Sequence, residues 1–205
     1  MAIEELIRRY EAGGGHLAKA NAEGLAVPPA LRTVVLTCMD SRLDVFALFG
    51  LQMGEVHVLR NAGGVVTDDM IRSLAISQRK LGTREILLMQ HGGCGLATFS
   101  DDDFSETLAD ETGMWPSWRT HAFRDPVVSV RRGMAQLRHD PFLMRGTRVR
   151  GFVVDIETFD LEEVFVEEGA PSVRRRAGAG DGATPADGIP AARISEKVRR
   201  AAAGG

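Results

Sequence analysis

Two short apolar runs of the chain each end directly at a residue that can bind a metal ion. Residues 33–37 read TVVLT, a β-branched run typical of a strand buried on both faces, and Cys38 follows it. Residues 85–90 form a second such run, and His91 follows it. Ligands in open α/β sheets lie at the carboxyl ends of the strands, so we expect both residues at one sheet edge. This placement points to an α/β architecture.

The remaining hydrophobic patterns alternate between strands and helices. Further strands are predicted at residues 55–60, 148–155 and, more weakly, 161–166. Helices are predicted at 45–50, 67–81, from 101 and over 126–139, where Thr67 and the acidic run Asp101-Asp102-Asp103 suit helix starts. We therefore predict an α/β fold with a mostly parallel central β-sheet flanked by helices.

Composition divides the chain into three predicted segments. Residues 1–30 indicate an N-terminal helical arm, made of two short pieces around three consecutive glycines. Residues 31–168 would form one α/β domain. Residues 169–205 are rich in Gly, Ala, Pro and Arg, and we expect a disordered basic tail because so few apolar side chains cannot offset the entropy of ordering.

Overall composition excludes several classes of protein. The chain has 205 residues and a net charge of −3, so it lacks the basic field typical of nucleic-acid binders. No apolar run approaches the roughly 18 residues of a membrane span, and the N-terminus lacks a signal-peptide pattern. We expect no nucleic-acid or membrane partner, and a cytoplasmic location.

The only two cysteines, Cys38 and Cys94, suit a metal site. His91 and Cys94 are three positions apart, and the two glycines between them allow the turn that brings both to one ion. With Cys38, they would give zinc three protein ligands and leave one tetrahedral position open, as in catalytic sites. The alternative is a Cys38–Cys94 disulfide, which would leave the neighbouring charged residues without a role.

Asp40 and Arg42 follow Cys38 at alternate positions, which face one side if the segment is extended. A bidentate arginine would keep the carboxylate oriented and ionised, so that Asp40 could accept a hydrogen bond from water on the metal. If Arg42 released it, Asp40 could bind the metal instead and close the site. An ordinary surface ion pair, worth about 0–1 kcal/mol, is the alternative interpretation.

These residues together resemble the β-class carbonic anhydrases, whose metal motifs are Cys-x-Asp-x-Arg and His-x-x-Cys. The likeness continues through residues 60–64, 71–74, 81–86 and 150–153, and it spans about residues 30–165. The Asp-Asp-Asp-Phe run at 101–104 is similar to that of a compact bacterial branch of the family.

The resemblance implies reversible hydration of carbon dioxide to bicarbonate and a proton. It implies Zn²⁺ held by Cys38, His91 and Cys94, with Asp40 and Arg42 as the catalytic pair. It also implies a homodimer, or a tetramer, with the active site near the interface and the helical arm laid over the partner.

Glycines mark one further likeness and one departure. The resemblance implies that Gly63 and Gly64 form close-approach backbone beside the site, although a plain turn explains them nearly as well. Between the histidine and the cysteine, relatives of this branch usually carry a Thr-Asp-like pair where this chain has Gly92-Gly93. The substitution changes hydrogen bonding around the site but not the ligand set.

Two rival functions stay open at this point. A carbon disulfide or carbonyl sulfide hydrolase would share the fold and the metal ligands. A non-catalytic, zinc-stabilised binding module would keep the metal closed by Asp40 or a histidine. Elsewhere, His57 is interpreted as a structural histidine, Met39 and Val65-Val66 as core residues, and Trp115 and Trp118 as candidates for an interface.

Overall fold

The computed structural model describes residues 2–166, so the predicted tail at 169–205 and the last two residues of the predicted α/β domain lie outside the described residues. The helices are α1 (Ala2–Arg9), α2 (Gly15–Ala22), α3 (Val45–Phe49), α4 (Asp68–Leu81), α5 (Asp101–Thr112) and α6 (Pro126–His139), with a π-helical turn at Tyr10–Gly14 and 3₁₀ turns at Ala62–Gly64 and Gly95–Ala97. The strands are β1 (Thr33–Cys38), β2 (Val56–Asn61), β3 (Glu85–His91), β4 (Arg148–Val154) and β5 (Leu161–Val164).

The five strands form one sheet in the order β2-β1-β3-β4-β5. Strands β1 to β4 are parallel, and β5 joins the edge antiparallel to β4. The predicted mostly parallel α/β sheet is confirmed. Because β1 and β3 are neighbours, the carboxyl ends of the two predicted ligand-bearing strands lie side by side.

Both faces of the sheet are covered, which explains the continuous apolar character of its inner strands. One face packs against α4 and α6 through fully buried residues such as Leu36, Leu74, Leu88 and Val130. Helix α6 approaches β4 so closely that a Cβ on Gly151 would lie 2.5 Å from Val130. The opposite face carries a second apolar cluster, which contains both cysteines.

Local sequence signals set the helix ends as predicted. The Thr67 hydroxyl accepts a hydrogen bond from the Met70 N–H at the start of α4, and Gly82 takes a left-handed conformation at its end. The acidic residues 101–103 form the first turn of α5 behind a Ser100 cap, which confirms the interpretation of that run as a helix start.

The N-terminal arm is helical, with a kink at Gly13, whose φ is +117°. None of the residues in α1, the π-helical turn or α2 is buried. Several large apolar side chains of the arm stand in solvent, namely Ile3, Leu6, Ile7, Tyr10 and Leu17. The arm therefore has an apolar surface that the rest of residues 2–166 does not cover.

One predicted core residue is wrong. Val65 and Val66 are buried, but Met39 is 65% exposed, because the chain leaves the sheet at Cys38 and the next residue points away from both apolar clusters. Within residues 2–166, none of the helices combines the length and apolar character needed to cross a membrane.

Candidate metal centre

Three side chains that could bind a metal meet at the carboxyl edge of the sheet. Cys38 is the last residue of β1, and His91 is the last residue of β3. Cys94 follows a turn in which Gly93 has a φ of +64°, a conformation that favours glycine. The ligand atoms of Cys38, His91 and Cys94 lie within 4.8 Å of one another, and all three residues are buried. The structure thus brings together the three predicted ligands.

The two sulfur atoms are close but not bonded. Cys38 Sγ lies 3.9 Å from Cys94 Sγ, well beyond the roughly 2.05 Å of a disulfide, so both cysteines are free. A hydrogen bond from the Cys94 thiol lowers the pKa of Cys38, against the opposing effect of burial. The same bond raises the pKa of Cys94. Cys38 thus ionises more readily than Cys94, and a bound cation would displace the proton of each thiol that is still protonated.

His91 has one ring nitrogen occupied and one free. Its Nδ1 lies 2.8 Å from the Gly92 carbonyl oxygen and donates to it, because a carbonyl can only accept. Its Nε2 is buried and has no hydrogen-bond partner among the described residues. Burial acts to lower the pKa of His91, but the negative charge of the neighbouring Cys38 outweighs it and raises the pKa.

An unpaired buried nitrogen beside two sulfurs fits a zinc ion. Zn²⁺ prefers nitrogen and sulfur ligands, and a histidine bound through Nε2 commonly has its other nitrogen fixed by a carbonyl, as in His91. Leaving Nε2 buried and unpaired is costly without such a ligand. The donor set therefore suits zinc and supplies three of its four usual ligands.

Asp40 stands beside this cluster and is held by Arg42. The Arg42 guanidinium donates to both carboxylate oxygens, at 2.7 and 3.0 Å, and the Arg42 N–H donates to Oδ1 at 2.9 Å. These bonds hold the pKa of Asp40 well below its usual range. Asp40 Oδ2 also lies 3.7 Å from His91 Nε2. The carboxylate is thus ionised, oriented and adjacent to the unpaired histidine nitrogen.

The two glycines between His91 and Cys94 contribute backbone groups. The Gly92 N–H donates to the Val154 carbonyl, which ties the turn to β4. The Gly93 carbonyl accepts a bond from the Arg42 guanidinium at 3.4 Å. The turn therefore helps to hold Arg42 without any side chain of its own.

Gly64 confirms the close approach expected of the 63–64 pair. Its φ is +60°, and a Cβ there would lie 2.7 Å from the Cys38 nitrogen. Gly63 has no space for a side chain for another reason, since a Cβ there would collide with the side chains of Leu96 and Phe123. These apolar side chains pack against the cluster that contains the cysteines, so the site has an apolar wall.

Arg60 is a site neighbour whose contacts the sequence analysis missed. From β2 its guanidinium donates to three carbonyl oxygens, those of Cys38, Asp40 and Leu43. Its place within the motif at 60–64 was the only available signal, because the contacts depend on how the chain turns after β1.

The structure does not bring His57 to the metal centre. His57 faces Val34 across the β1–β2 pair, and its Nδ1 is hydrogen-bonded to the Ser77 hydroxyl at 2.8 Å. The interpretation of His57 as a structural histidine is confirmed.

Comparisons with known proteins agree with this geometry. The model of the carbonic anhydrase family matches residues 33–140, which is more than half of the chain. Beta-carbonic anhydrase 1 of Mycobacterium tuberculosis is 51% identical over 140 residues, covering 68% of this chain and 86% of that protein. A carbon disulfide hydrolase of Acidianus is 29% identical over 161 residues, covering 67% of this chain and 79% of that protein.

A solved structure shows the same fold. The carbonic anhydrase of Streptococcus mutans superposes with a TM-score of 0.72 and 36% identity, covering 78% of this chain and 97% of that one. The sequence match, the fold and the Cys-His-Cys group all indicate the same family. This chain belongs to the β-carbonic anhydrase family of enzymes.

Proposed function

We propose that the protein catalyses the zinc-dependent, reversible hydration of carbon dioxide to bicarbonate and a proton. The observation that carries the proposal is the ionised Asp40 carboxylate, held by Arg42 and 3.7 Å from the unpaired Nε2 of His91. A purely structural metal site has no need of an oriented carboxylate outside its ligand set.

Cys38, His91 and Cys94 would hold the zinc ion. Two thiolates and a neutral imidazole balance the charge of the dication, which lets it sit in a buried position. Zinc bound there would act as a Lewis acid and lower the pKa of a coordinated water to about 7.

Asp40 and Arg42 orient the attacking water. An ionised carboxylate is an acceptor only, so Asp40 takes a hydrogen bond from the water and directs an oxygen lone pair away from itself. The bidentate bond to Arg42 fixes the two carboxylate oxygens and favours the charged form.

The apolar wall suits a neutral, linear substrate. Leu96 and Phe123 pack against the cluster that holds Cys38 and Cys94, and they offer a surface that a carbon dioxide molecule can contact without losing hydrogen bonds. Carbon disulfide and carbonyl sulfide share this shape. The 51% identity to a carbonic anhydrase, against 29% to a carbon disulfide hydrolase, favours carbon dioxide.

The test combines metal analysis with rates for each gas. We expect one zinc per chain and rapid hydration of carbon dioxide by stopped flow, with little release of sulfide from carbon disulfide or carbonyl sulfide. Sulfide release that exceeds carbon dioxide hydration would assign the hydrolase function. Stoichiometric zinc with no turnover of any gas would assign a binding module.

We also propose that the protein is a homodimer formed through the N-terminal arm. We place it in the cytoplasm, where reducing conditions would keep both thiols free. The exposed apolar residues of the arm, such as Leu6 and Ile7, have no cover within residues 2–166, and a second copy would supply it. Trp115 and Trp118 are also exposed and could extend the contact. Sedimentation of the full chain should give a dimer or a tetramer, and a Leu6→Glu, Ile7→Glu variant should shift it toward monomer.

A further inference from the structure

A cavity lies between the sheet and α6, on the face opposite the two cysteines. Its volume is about 600 Å³, within the range of roughly 300–1,000 Å³ typical of small-molecule sites. Leu88 and Gln90 of β3 line it from the sheet, and Ser129 and Gln136 of α6 line it from the helix. Leu88 belongs to the apolar cluster on the α6 face, whereas both cysteines belong to the other cluster. The cavity is therefore distinct from the metal centre.

Gln90 contributes an unpaired acceptor to the lining of this cavity. The residue is only 1% exposed. Its Nε2 donates to the Gly64 carbonyl at 3.3 Å, but its Oε1 has no hydrogen-bond partner within residues 2–166. Leaving a buried amide oxygen unpaired is costly, and such an oxygen can only accept. A ligand that fills this part of the cavity therefore needs an N–H or O–H donor.

Arginines give the same cavity its charge. Arg119, Arg124 and Arg132 line it, and all three are exposed. In the part of the chain that the structure describes, neither Arg124 nor Arg132 has an ion pair or a side-chain hydrogen bond. A guanidinium binds phosphate or carboxylate through two parallel hydrogen bonds, and both of these arginines are available to do so.

Two aspartates also line the cavity, but the protein already uses both. Asp101 accepts hydrogen bonds from the loop at residues 120–122, and its Oδ2 lies 3.5 Å from Arg119 Nε. Asp125 caps α6 by accepting from two N–H groups of its first turn. Three arginines against two aspartates leave the lining with a net positive charge.

Apolar side chains complete the lining, namely Val65, Val66, Phe123 and Val128. Surfaces of this kind suit the carbon skeleton of an organic molecule. An inorganic anion would pair with the arginines but would leave both the apolar surface and the Gln90 oxygen without a partner. The combination therefore favours an organic ligand over a simple ion.

We propose that this cavity binds a small organic anion that carries an N–H or O–H donor apart from its charged group. Arg124 and Arg132 bind the phosphate or carboxylate of the ligand, and Gln90 Oε1 accepts from its donor. The inference does not depend on the proposed function, because none of these residues takes part in the hydration of carbon dioxide.

The first test is calorimetric titration of the zinc-loaded full chain with two probes. Adenosine monophosphate and 4-aminobenzoate each have an amino donor, and their charged groups are a phosphate and a carboxylate. We expect at least one of them to bind with a Kd at or below about 1 mM. Inorganic phosphate and benzoate lack the amino group and should bind about tenfold more weakly than the matching probe. The probe that binds more tightly identifies the charged group that the site prefers.

The second test locates the bound probe with variants. Arg132→Met removes one guanidinium, and Gln90→Met keeps the length of the side chain without its amide oxygen, so each should weaken binding about tenfold. Arg145→Met removes an exposed arginine that does not line the cavity and should leave the Kd unchanged. Asp40→Asn alters the charge beside the metal ligands and should also leave it unchanged. Zinc content is measured for every variant.

Three results would overturn the proposal. The first is that neither probe binds the wild-type protein at 10 mM, a concentration about tenfold above the expected limit. The second is equal binding by wild type and Arg132→Met. The third is a change in Kd in Asp40→Asn, which would place the probe at the metal centre. If Gln90→Met does not fold, Arg124→Met on the exposed side of the cavity replaces it, and wild-type binding in that variant overturns the proposal.

Discussion

The two ends of the parallel sheet each hold a histidine cluster, and they differ in whether their polar atoms are paired. At the amino end, His57 Nδ1 bonds to the Ser77 hydroxyl, which bonds in turn to the Thr83 hydroxyl, both at 2.8 Å. At the carboxyl end, His91 Nε2 has no partner among the described residues.

Unpaired atoms concentrate at the carboxyl end. Over residues 2–166, the buried side-chain atoms without a hydrogen bond are Thr37 Oγ1, Gln90 Oε1 and His91 Nε2. Thr37 is the next-to-last residue of β1, and Gln90 and His91 are the last two residues of β3, so all three lie at the ends of the strands that carry the ligands. Since a buried unpaired polar atom is costly, such atoms indicate a place kept for something other than folding. A closed network such as that of His57 indicates stability.

The largest expected effect comes from removing a metal ligand. Cys94→Ser should lower zinc content and reduce hydration at least about 1000-fold, equivalent to about 4 kcal/mol of transition-state stabilisation, because the metal activates the water. His57→Gln at the other end should keep its zinc and most of its rate per folded molecule. Metal analysis and stopped-flow rates check both. A zinc-free but fully active Cys94→Ser variant would contradict the view that the carboxyl end of the sheet is the metal site and the amino end is structural.

The next largest effect should come from changing Asp40, and it distinguishes a carboxylate that orients water from a residue that binds the metal. The Asp40→Asn side chain keeps the shape of the carboxylate but loses its charge and one of its two acceptor oxygens. We therefore expect a loss of about 100-fold or more in kcat, within the range for a positioned acid–base group. Zinc should stay bound at one per chain, because Asp40 is outside the ligand set. Zinc loss in this variant would instead mark Asp40 as a ligand and favour the binding-module function.

A third prediction concerns the amino end, where the effect should fall on stability alone. Ser77→Ala leaves His57 Nδ1 and the Thr83 hydroxyl without their shared partner, and the free energy of unfolding should fall by about 1–3 kcal/mol. Ser73→Ala, one turn earlier on α4, is the matched control and should change it little. Urea unfolding of the zinc-loaded proteins measures both. A rate loss per folded molecule in Ser77→Ala would show that the two ends are coupled.

The carboxyl end was predictable from sequence because its signals are local. A strand pattern that runs straight into Cys38 or His91 fixes both the position along the strand and the edge of the sheet. The contacts of Arg60 and Ser77 were not predictable. Arg60 on β2 donates to the backbone where the chain leaves β1, and Ser77 on α4 bonds to His57, which is 20 residues away in sequence. Both contacts therefore depend on how the loop after β1 and helix α4 pack against β2. Met39 was misplaced for the same reason, since the turn after β1 decides its exposure.

The smallest predicted effect is a pH dependence at the amino end. Burial lowers the pKa of His57 below its ordinary value of 6.5, so the unfolded chain binds more protons than the folded chain as the pH falls through that value. The stabilising contribution of neutral His57 is thus fully present above pH 6.5 and is lost as the pH falls toward the lower, folded-state pKa. Urea unfolding of wild type and His57→Gln at several pH values should give curves that converge on acidification. A constant difference between them would show that the pKa of His57 is the same in the folded and unfolded chains, which would contradict the lowering by burial.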